Sequence, residues 1–476
     1  MPRRRVRLRH EFQTAPSHRP APAQSSNSKN LPAISSPTSK PRQHLPGTQL
    51  ASHLTKMAAR LSPDPLDIVS TDTTTQEILL HAAHHNLPAL KPLLRVPGAA
   101  SVQDPETGFT PLHAAIAACG DASDPSDDDA DVAGALATVR ELLLSGAIWN
   151  DLDANDETAA CLAWRLGRSE LYEVLVEAGV RAEVLLGLMG GYERLSSSGD
   201  ESDSEEAPEL IDGARTEADG GPNGAVQEAR APFDPQNPED VNSKAYLGSD
   251  LTFTPTAILD DAANGVMMAW ETAIMELSAT LLCPSPGLRV LNIGFGMGIV
   301  DGFFGATQPA THHIIEAHAG VLATLAAPTH DFGPAWEARS DARNKVWRGR
   351  WQDVVPTLLE RGEVYDAIYF DTFGEDYSAL KAFFQDFVPG LLAPEGRFGF
   401  FNGLGADRRV CYDVYTRVVE LDLCDAGMEV QWVDVEVPME GGQEGLGKEG
   451  EGGWEGVRRR YWTLETYRLP VCSFMG

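Results

Sequence analysis

Arg289-Val290-Leu291-Asn292-Ile293 runs straight into Gly294-Phe295-Gly296-Met297-Gly298, and this stretch carries the plainest chemical signal in the chain. An apolar, β-branched run followed by glycines on alternate positions predicts a buried parallel strand ending in a tight turn. At such a turn the missing side chains let a ligand lie against the backbone. Ile299 to Phe304 is apolar enough to begin a helix, so strand, turn and helix together make a nucleotide-type site. A dinucleotide fingerprint needs glycine at 299, where this chain has Ile. Further on, His312-His313-Ile314-Ile315-Glu316 reads as a short strand ending in an acid, placed to accept hydrogen bonds from both hydroxyls of a ribose. Gly349-Arg350-Trp351-Gln352-Asp353 follows a third strand and offers a flat ring and an acid, which suit adenine and its exocyclic amine. Tyr365 to Phe370 reads as the fourth strand. It carries Asp371 out at its carboxyl end, the edge where open α/β sheets bind ligands.

A second carboxylate precedes the glycine strand. Val266, Met267, Trp270, Ile274 and Leu277 recur at helical spacing, and Glu271 sits inside that apolar face. A carboxylate so placed needs a partner. It reads as a substrate carboxylate aimed into the cleft, against the plainer reading of a capped glutamate on a core helix. Glu375, Asp376 and Tyr377 either touch substrate or cap the next helix. Asn402-Gly403 lines the cleft or turns the chain. His312 and His313 have no companions at metal-ligand spacing and are read as strand residues. Arg458-Arg459-Arg460 is read as a solvated edge.

Four regions are expected to carry these residues. Residues 1–60 hold eleven Arg and Lys against the single acid Glu11, a basic and disordered tail. Its Arg, Ser and Pro composition is also that of a transit peptide, or of an upstream extension with Met57 as the start. Residues 61–192 are expected to form an all-α, ankyrin-like repeat domain. Thr110-Pro111-Leu112-His113-Ala114-Ala115 matches the T-P-L-H-x-A turn-and-helix signature, with His113 bonding the turn. Gly146 and Gly179 end two similar helices 33 residues apart, one ankyrin period. Asp156-Glu157-Thr158-Ala159-Ala160 is a degenerate version of the same turn, and residues 120–131 read as an acidic loop. Residues 193–240 carry fourteen acids and three arginines, an acidic disordered linker that is either a tether or a lure for a basic protein. From 241 to 476, alternating strands and helices predict a doubly wound, mostly parallel sheet. Helices are expected over 264–282, 318–326, 376–392 and 406–425. Strands are expected over 288–293, 312–316, 366–371, 396–401, 428–435 and 461–469, the last two as an antiparallel hairpin around a Gly/Glu-rich insertion, 439–456.

The net charge of −31 is unevenly spread: the tail contributes +10 and the rest −41. Such an acidic body does not suit nucleic acid and does suit a basic protein partner. The six cysteines are scattered without a C-x-x-C pair, which fits a reducing compartment and no zinc site. No apolar run approaches the ~20 residues of a membrane helix.

The G-x-G-x-G spacing is that of S-adenosylmethionine-dependent methyltransferases. Taken in order, Met267-Met268-x-Trp270-Glu271, Gly294 to Gly298, Ile314-Ile315-Glu316, Gly349-x-Trp351-x-Asp353 and Tyr369-x-Asp371-Thr372 resemble guanidinoacetate methyltransferase. With its ankyrin-like unit and acidic linker, the whole chain resembles the arginine N5-methyltransferases, the type IV protein arginine methyltransferases. The resemblance implies a Rossmann-like class I methyltransferase domain that uses S-adenosyl-L-methionine. It implies monomethylation of the internal, δ nitrogen of an arginine in a protein of the large ribosomal subunit. Gly294, Gly296 and Gly298 would line the methionine part of the cofactor, Glu316 would hold the ribose, and Arg350 and Trp351 would border the adenine. Glu271 and Asp371 would grip the guanidinium as the catalytic pair, with Asp371 also against the cofactor. Met268 and Trp270 would wall the transfer site. The double-glutamate loop of the common arginine methyltransferases is not apparent. A guanidinoacetate-type metabolite enzyme and an inactive methyltransferase-fold interaction protein are the alternatives. The expected partners are a protein substrate and a protein on the ankyrin-like surface, with no nucleic acid and no membrane, and the expected location is cytoplasm and nucleus.

Overall fold

The computed structural model describes residues 5–6, 70–123, 131–196, 243–339, 343–437, 454, 456–458 and 460–476. The basic tail beyond Arg5 and Val6, most of the acidic linker and most of the 439–456 insertion lie outside the described residues. The chain divides into two compact units. One is Met1–Gly179 with Arg408–Val414 and Asp434–Val437, and the other holds the remainder.

The first unit is helical. Its helices Ser70–Ala83, Leu87–Leu93, Pro111–Ala117, Val132–Leu144 and Ala159–Arg165 are followed by Ser169–Ser196. Ile78, Leu79, Leu90, Leu112, Ile116, Val139, Leu142 and Leu162 form its buried interior. Two turns repeat one design. Asp104 Oδ1 accepts the N–H groups of Glu106 and Thr107, and Thr110 caps the helix that begins at Pro111. Asp153 Oδ1 accepts those of Asn155 and Glu157, and Thr158 caps the next helix. His113 is fully buried. Its Nδ1 lies 2.8 Å from Thr110 Oγ1 and its Nε2 3.0 Å from the Glu157 carbonyl, so it ties the two turns together as expected of it.

The largest sheet is ordered β1-β10-β11-β9-β8-β5-β6-β7, and its strands β5 to β9 and β11 lie in the second unit. Here β1 is the two-residue strand Arg5–Val6; β5 is Arg289–Ile293, β6 Thr311–Glu316, β7 Asn344–Arg348, β8 Tyr365–Phe370, β9 Leu392–Phe400, β10 Met428–Glu436 and β11 Thr466–Phe474. Strands β5 to β9 are mutually parallel, and β11 runs antiparallel to β9. The central strands are buried because helices cover both faces. Leu291, Ile293, Ile315, Ile368, Phe398 and Phe400 pack in one layer with Trp351, Val355 and Phe383. Val290, Ala367 and Tyr369 face Met275, Leu282, Val300 and Phe304 in the other. The chain order turns outward from β5 in both directions, to β6 and to β8. That reversal opens a crevice at their carboxyl ends.

Two expectations shift. The final strand begins at Thr466 rather than 461, which leaves Tyr461 and Trp462 in an irregular stretch before it. Residues 264–282 are not one helix. Gly265–Met268 is a strand, β4, in a small sheet ordered β2-β3-β4 with β2 at Thr252–Phe253 and β3 at Ala257–Leu259. A 3₁₀ turn, Ala269–Glu271, then leads into the helix Thr272–Leu282. Pairing of Met267 with Ile258 outweighs the local helical spacing here.

Candidate active site

A cleft opens at the carboxyl ends of β5, β6 and β8. Gly294, Gly296, Glu316, Arg350, Trp351 and Asp371 all line it, as expected from the sequence. Gly294 has φ +91°, and a Cβ there would fall 1.8 Å from the carbonyl oxygen of Asp371. Only glycine lets the turn after β5 lie so close to the end of β8. The Asp371 N–H in turn donates to the Ile293 carbonyl at 2.8 Å, which fixes the residue at the strand end.

Glu316 is 5% exposed. Its Oε2 accepts the N–H of Phe295 at 2.9 Å and its Oε1 that of His318 at 2.6 Å. Burial raises its pKa, and these backbone donors oppose the rise. The carboxylate is therefore locked in one orientation at the cleft wall.

Asp371 is half-buried, and its Oδ2, shut off from solvent, has no hydrogen-bond partner among the described residues. Glu271 is 3% exposed and stands on the 3₁₀ turn, where its Oε1 accepts the Met268 N–H at 3.3 Å and the Tyr461 hydroxyl. Burial raises the pKa of both carboxyls, and the charge of Asp371 adds to the rise at Glu271. A buried carboxylate beside a half-buried one with an unpartnered oxygen makes a site for a cation.

Several residues stand elsewhere than expected. Gly298 does not line the cleft. It caps the helix Ile299–Ala306 with φ +72°, and a Cβ there would meet the Phe295 ring at 2.4 Å. Met268 is likewise absent from the wall: its sulfur lies toward Gly265, and Met267 takes its place, accepting the Met297 N–H at 3.1 Å. Trp270 and Glu271 are outside the cleft lining. Trp270 instead packs near Trp454, Tyr461 and Trp462, with ring centroids 6.0, 5.9 and 5.7 Å away. Trp351 keeps an edge in the cleft but belongs to the core, edge-on to Phe370, Phe383 and Phe387. Asp353 is exposed in the first turn of the helix Trp351–Glu360, and Gln352 lines the cleft in its stead.

Glu375 is no helix cap. It accepts the Trp351 indole N–H at 2.8 Å, the Gln352 amide at 2.7 Å and the Thr372 hydroxyl at 2.7 Å, while Asp376 does the capping. Asn402 is buried away from the cleft lining, its N–H donating to the Tyr467 hydroxyl at 2.8 Å. His312 and His313 are buried strand residues bonded to Asp301 and Tyr365. Two contributors were missed by sequence reading: Tyr246 and Tyr461. Tyr246, on the helix Ser243–Leu247, stacks 4.7 Å from His318 and lines the cleft. The only sequence signal for Tyr461 was a Tyr-Trp pair at the edge of a low-complexity stretch.

A glycine turn at the switch point, an acid pinned at the end of β6 and a C-terminal antiparallel strand beside β9 define a Rossmann-like, S-adenosylmethionine-dependent methyltransferase. The family model of guanidinoacetate N-methyltransferase matches residues 242–408. Protein arginine N-methyltransferase 2 of Gibberella zeae is 51% identical over 427 residues, covering 86% of this chain and 93% of that protein. Its counterpart in Neurospora crassa is 51% identical over 419 residues (84% and 96%), and that of Saccharomyces cerevisiae 35% over 382 residues (77% and 83%). The chain belongs to the protein arginine N-methyltransferase 2 family. It is an arginine methyltransferase with a protein substrate.

Proposed function

We propose that the chain monomethylates the internal, δ nitrogen of an arginine side chain in a protein of the large ribosomal subunit, using Glu271 and Asp371 to hold the guanidinium. The observation that carries this reading is the pair of neighbouring carboxylates, Glu271 buried and Asp371 half-buried at the cleft with an unpartnered oxygen. The δ position and the ribosomal substrate are supported by the resemblance of the whole chain to the N5 enzymes. Two turns of one design support an ankyrin-like reading of the first unit as a partner-binding module. The domain limits proposed are 61–192 for that module and 241–476 for the catalytic domain, joined by the acidic linker, in an enzyme of cytoplasm and nucleus.

The cleft fits the cofactor. Glu316 presents a fixed carboxylate for two ribose hydroxyls, and Gly294 and Gly296 leave backbone bare for the methionine part. Arg350 and the edge of Trp351 line the cleft and would border the adenine. When bound, S-adenosylmethionine supplies an electrophilic methyl group on sulfur. The chain's own residues do the rest. A guanidinium is planar, always charged near neutrality, and offers paired N–H donors that match carboxylate forks. Glu271 holds its charge. Asp371 orients the reacting nitrogen in line with the methyl and takes the proton that nitrogen must lose, so that a carbon–nitrogen bond forms as the carbon–sulfur bond breaks. A base so placed contributes ~100- to 10,000-fold.

A labelled-methyl transfer assay tests this, with the full chain, ribosomal proteins and guanidinoacetate side by side, followed by fragmentation of the product. Label on the internal nitrogen of a protein arginine is expected. Label on guanidinoacetate alone would replace this reading with a metabolite enzyme, the reading that the guanidinoacetate N-methyltransferase match favours.

A further inference from the structure

Glu271 is held by a residue that no motif marks. Tyr461 lies 190 positions away in the chain, yet its hydroxyl donates to Glu271 Oε1. The only other described donor to that carboxylate, the Met268 N–H, falls on the same oxygen. Both bonds therefore fix the carboxylate plane while leaving Oε2 for a ligand. The stretch that carries Tyr461 is itself pinned on both sides. The Arg458 N–H donates to the Ala263 carbonyl at 2.7 Å, and the Thr463 N–H to that of Ala406 at 3.1 Å. Trp462 is 1% exposed, with its indole N–H on the Leu464 carbonyl. The Tyr461 ring also packs 5.9 Å from that of Trp270 and 4.9 Å from that of Trp454. A hydroxyl held this firmly is preorganised.

We infer that Tyr461 is a positioning residue for methyl transfer: by donating to Glu271 Oε1 it turns Oε2 toward the guanidinium and favours the ionised carboxylate. This rests on the reading that Glu271 grips a guanidinium, and it holds whether the guanidinium belongs to a protein or to a small molecule. Tyr461 acts only as a donor. Burial and the neighbouring carboxylate hold its own pKa well above the ordinary tyrosine value, so it is no base. The groups facing Glu271 are Tyr461 and the Met268 N–H, both of which lower its pKa, Asp371, which raises it, and the buried Tyr369, whose own pKa the Glu271 charge helps to raise. Removing the Tyr461 donor must raise it further.

The test is the Tyr461→Phe variant of the full chain, with kcat/KM measured across pH on whichever of ribosomal protein or guanidinoacetate the wild type labels. The expected result is a kcat/KM lowered ~10-fold near neutrality. Its acid limb moves to higher pH by about one unit, the scale of a lost hydrogen bond to a charged group. Affinity for S-adenosylhomocysteine and the melting temperature should stay close to wild type, which separates positioning from folding. A shared loss of both with an unmoved acid limb would mean a structural role only and overturn the inference. So would an unmoved limb with kcat/KM within about twofold of wild type. Absence of label on either substrate in the wild type would instead sink the guanidinium reading itself, and this inference with it.

Discussion

Glu271 and Asp371 carry opposite obligations for activity and for stability. In the unfolded chain they ionise in the ordinary carboxylate range, while the folded chain holds their protons to higher pH. Their contribution to stability is therefore complete below that ordinary range and is lost as pH rises through the raised values. Activity runs the other way, since the guanidinium needs ionised partners. kcat/KM should fall as pH is lowered through neutrality, along an acid limb that Asp371→Asn moves to lower pH, because it takes away the charge that raises Glu271, while kcat drops ~100- to 10,000-fold. The same variant, free of ligand, should melt higher than wild type at about pH 9 and no higher at about pH 5. Calorimetry at the two values checks this, and equal melting temperatures throughout would refute the buried-charge account. Glu271→Gln should mainly raise KM for the guanidinium substrate, because it removes charge held equally in ground and transition states.

At the scale of elements, the strand–turn–helix around Gly294 was legible because each residue obeys its local rule: β-branched strand, bare turn, apolar helix. Glu316 and Asp371 were legible for the same reason, as acids at the ends of apolar strands. What escaped was set by tertiary contact. The stretch from Gly265 to Glu271 has helical spacing, yet Gly265–Met268 pairs as a strand with its neighbour, which brings Met267 rather than Met268 to the cleft. Trp351 looked like an adenine platform, but its indole fills a nest of phenylalanines and its N–H is claimed by Glu375. Tyr461 was invisible because nothing local ties it to Glu271. The glycine turn yields its own test. Gly294→Ala would press a methyl into the Asp371 carbonyl at positive φ, and should cost about 1–3 kcal/mol in denaturant unfolding. Loss of the thermal shift by S-adenosylhomocysteine should accompany it. A variant of unchanged stability would mean that the close approach is not required.

Across the whole molecule, charge is the unabsorbed feature. A body carrying −41 outside its basic tail attracts a basic protein and repels nucleic acid. Residues 193–240, with fourteen acids against three arginines, carry −11 of that charge. Replacing them with Gln and Asn should lower kcat/KM for a basic ribosomal protein several-fold at low salt and flatten its salt dependence, while leaving S-adenosylhomocysteine affinity unchanged. Stopped-flow association over a salt series reads the effect directly. An unaltered slope would reduce the segment to a tether.

The backbone contact between Gly294 and Asp371 has a further consequence. The turn that faces the cofactor and the residue that faces the substrate share one rigid seam, joined also by the bond from the Asp371 N–H to Ile293. Occupancy on one side cannot be indifferent to the other. Whatever factor S-adenosylhomocysteine adds to the affinity for an arginine peptide, the peptide must add to the affinity for S-adenosylhomocysteine. Titrating either ligand in the presence of the other must return the same coupling factor.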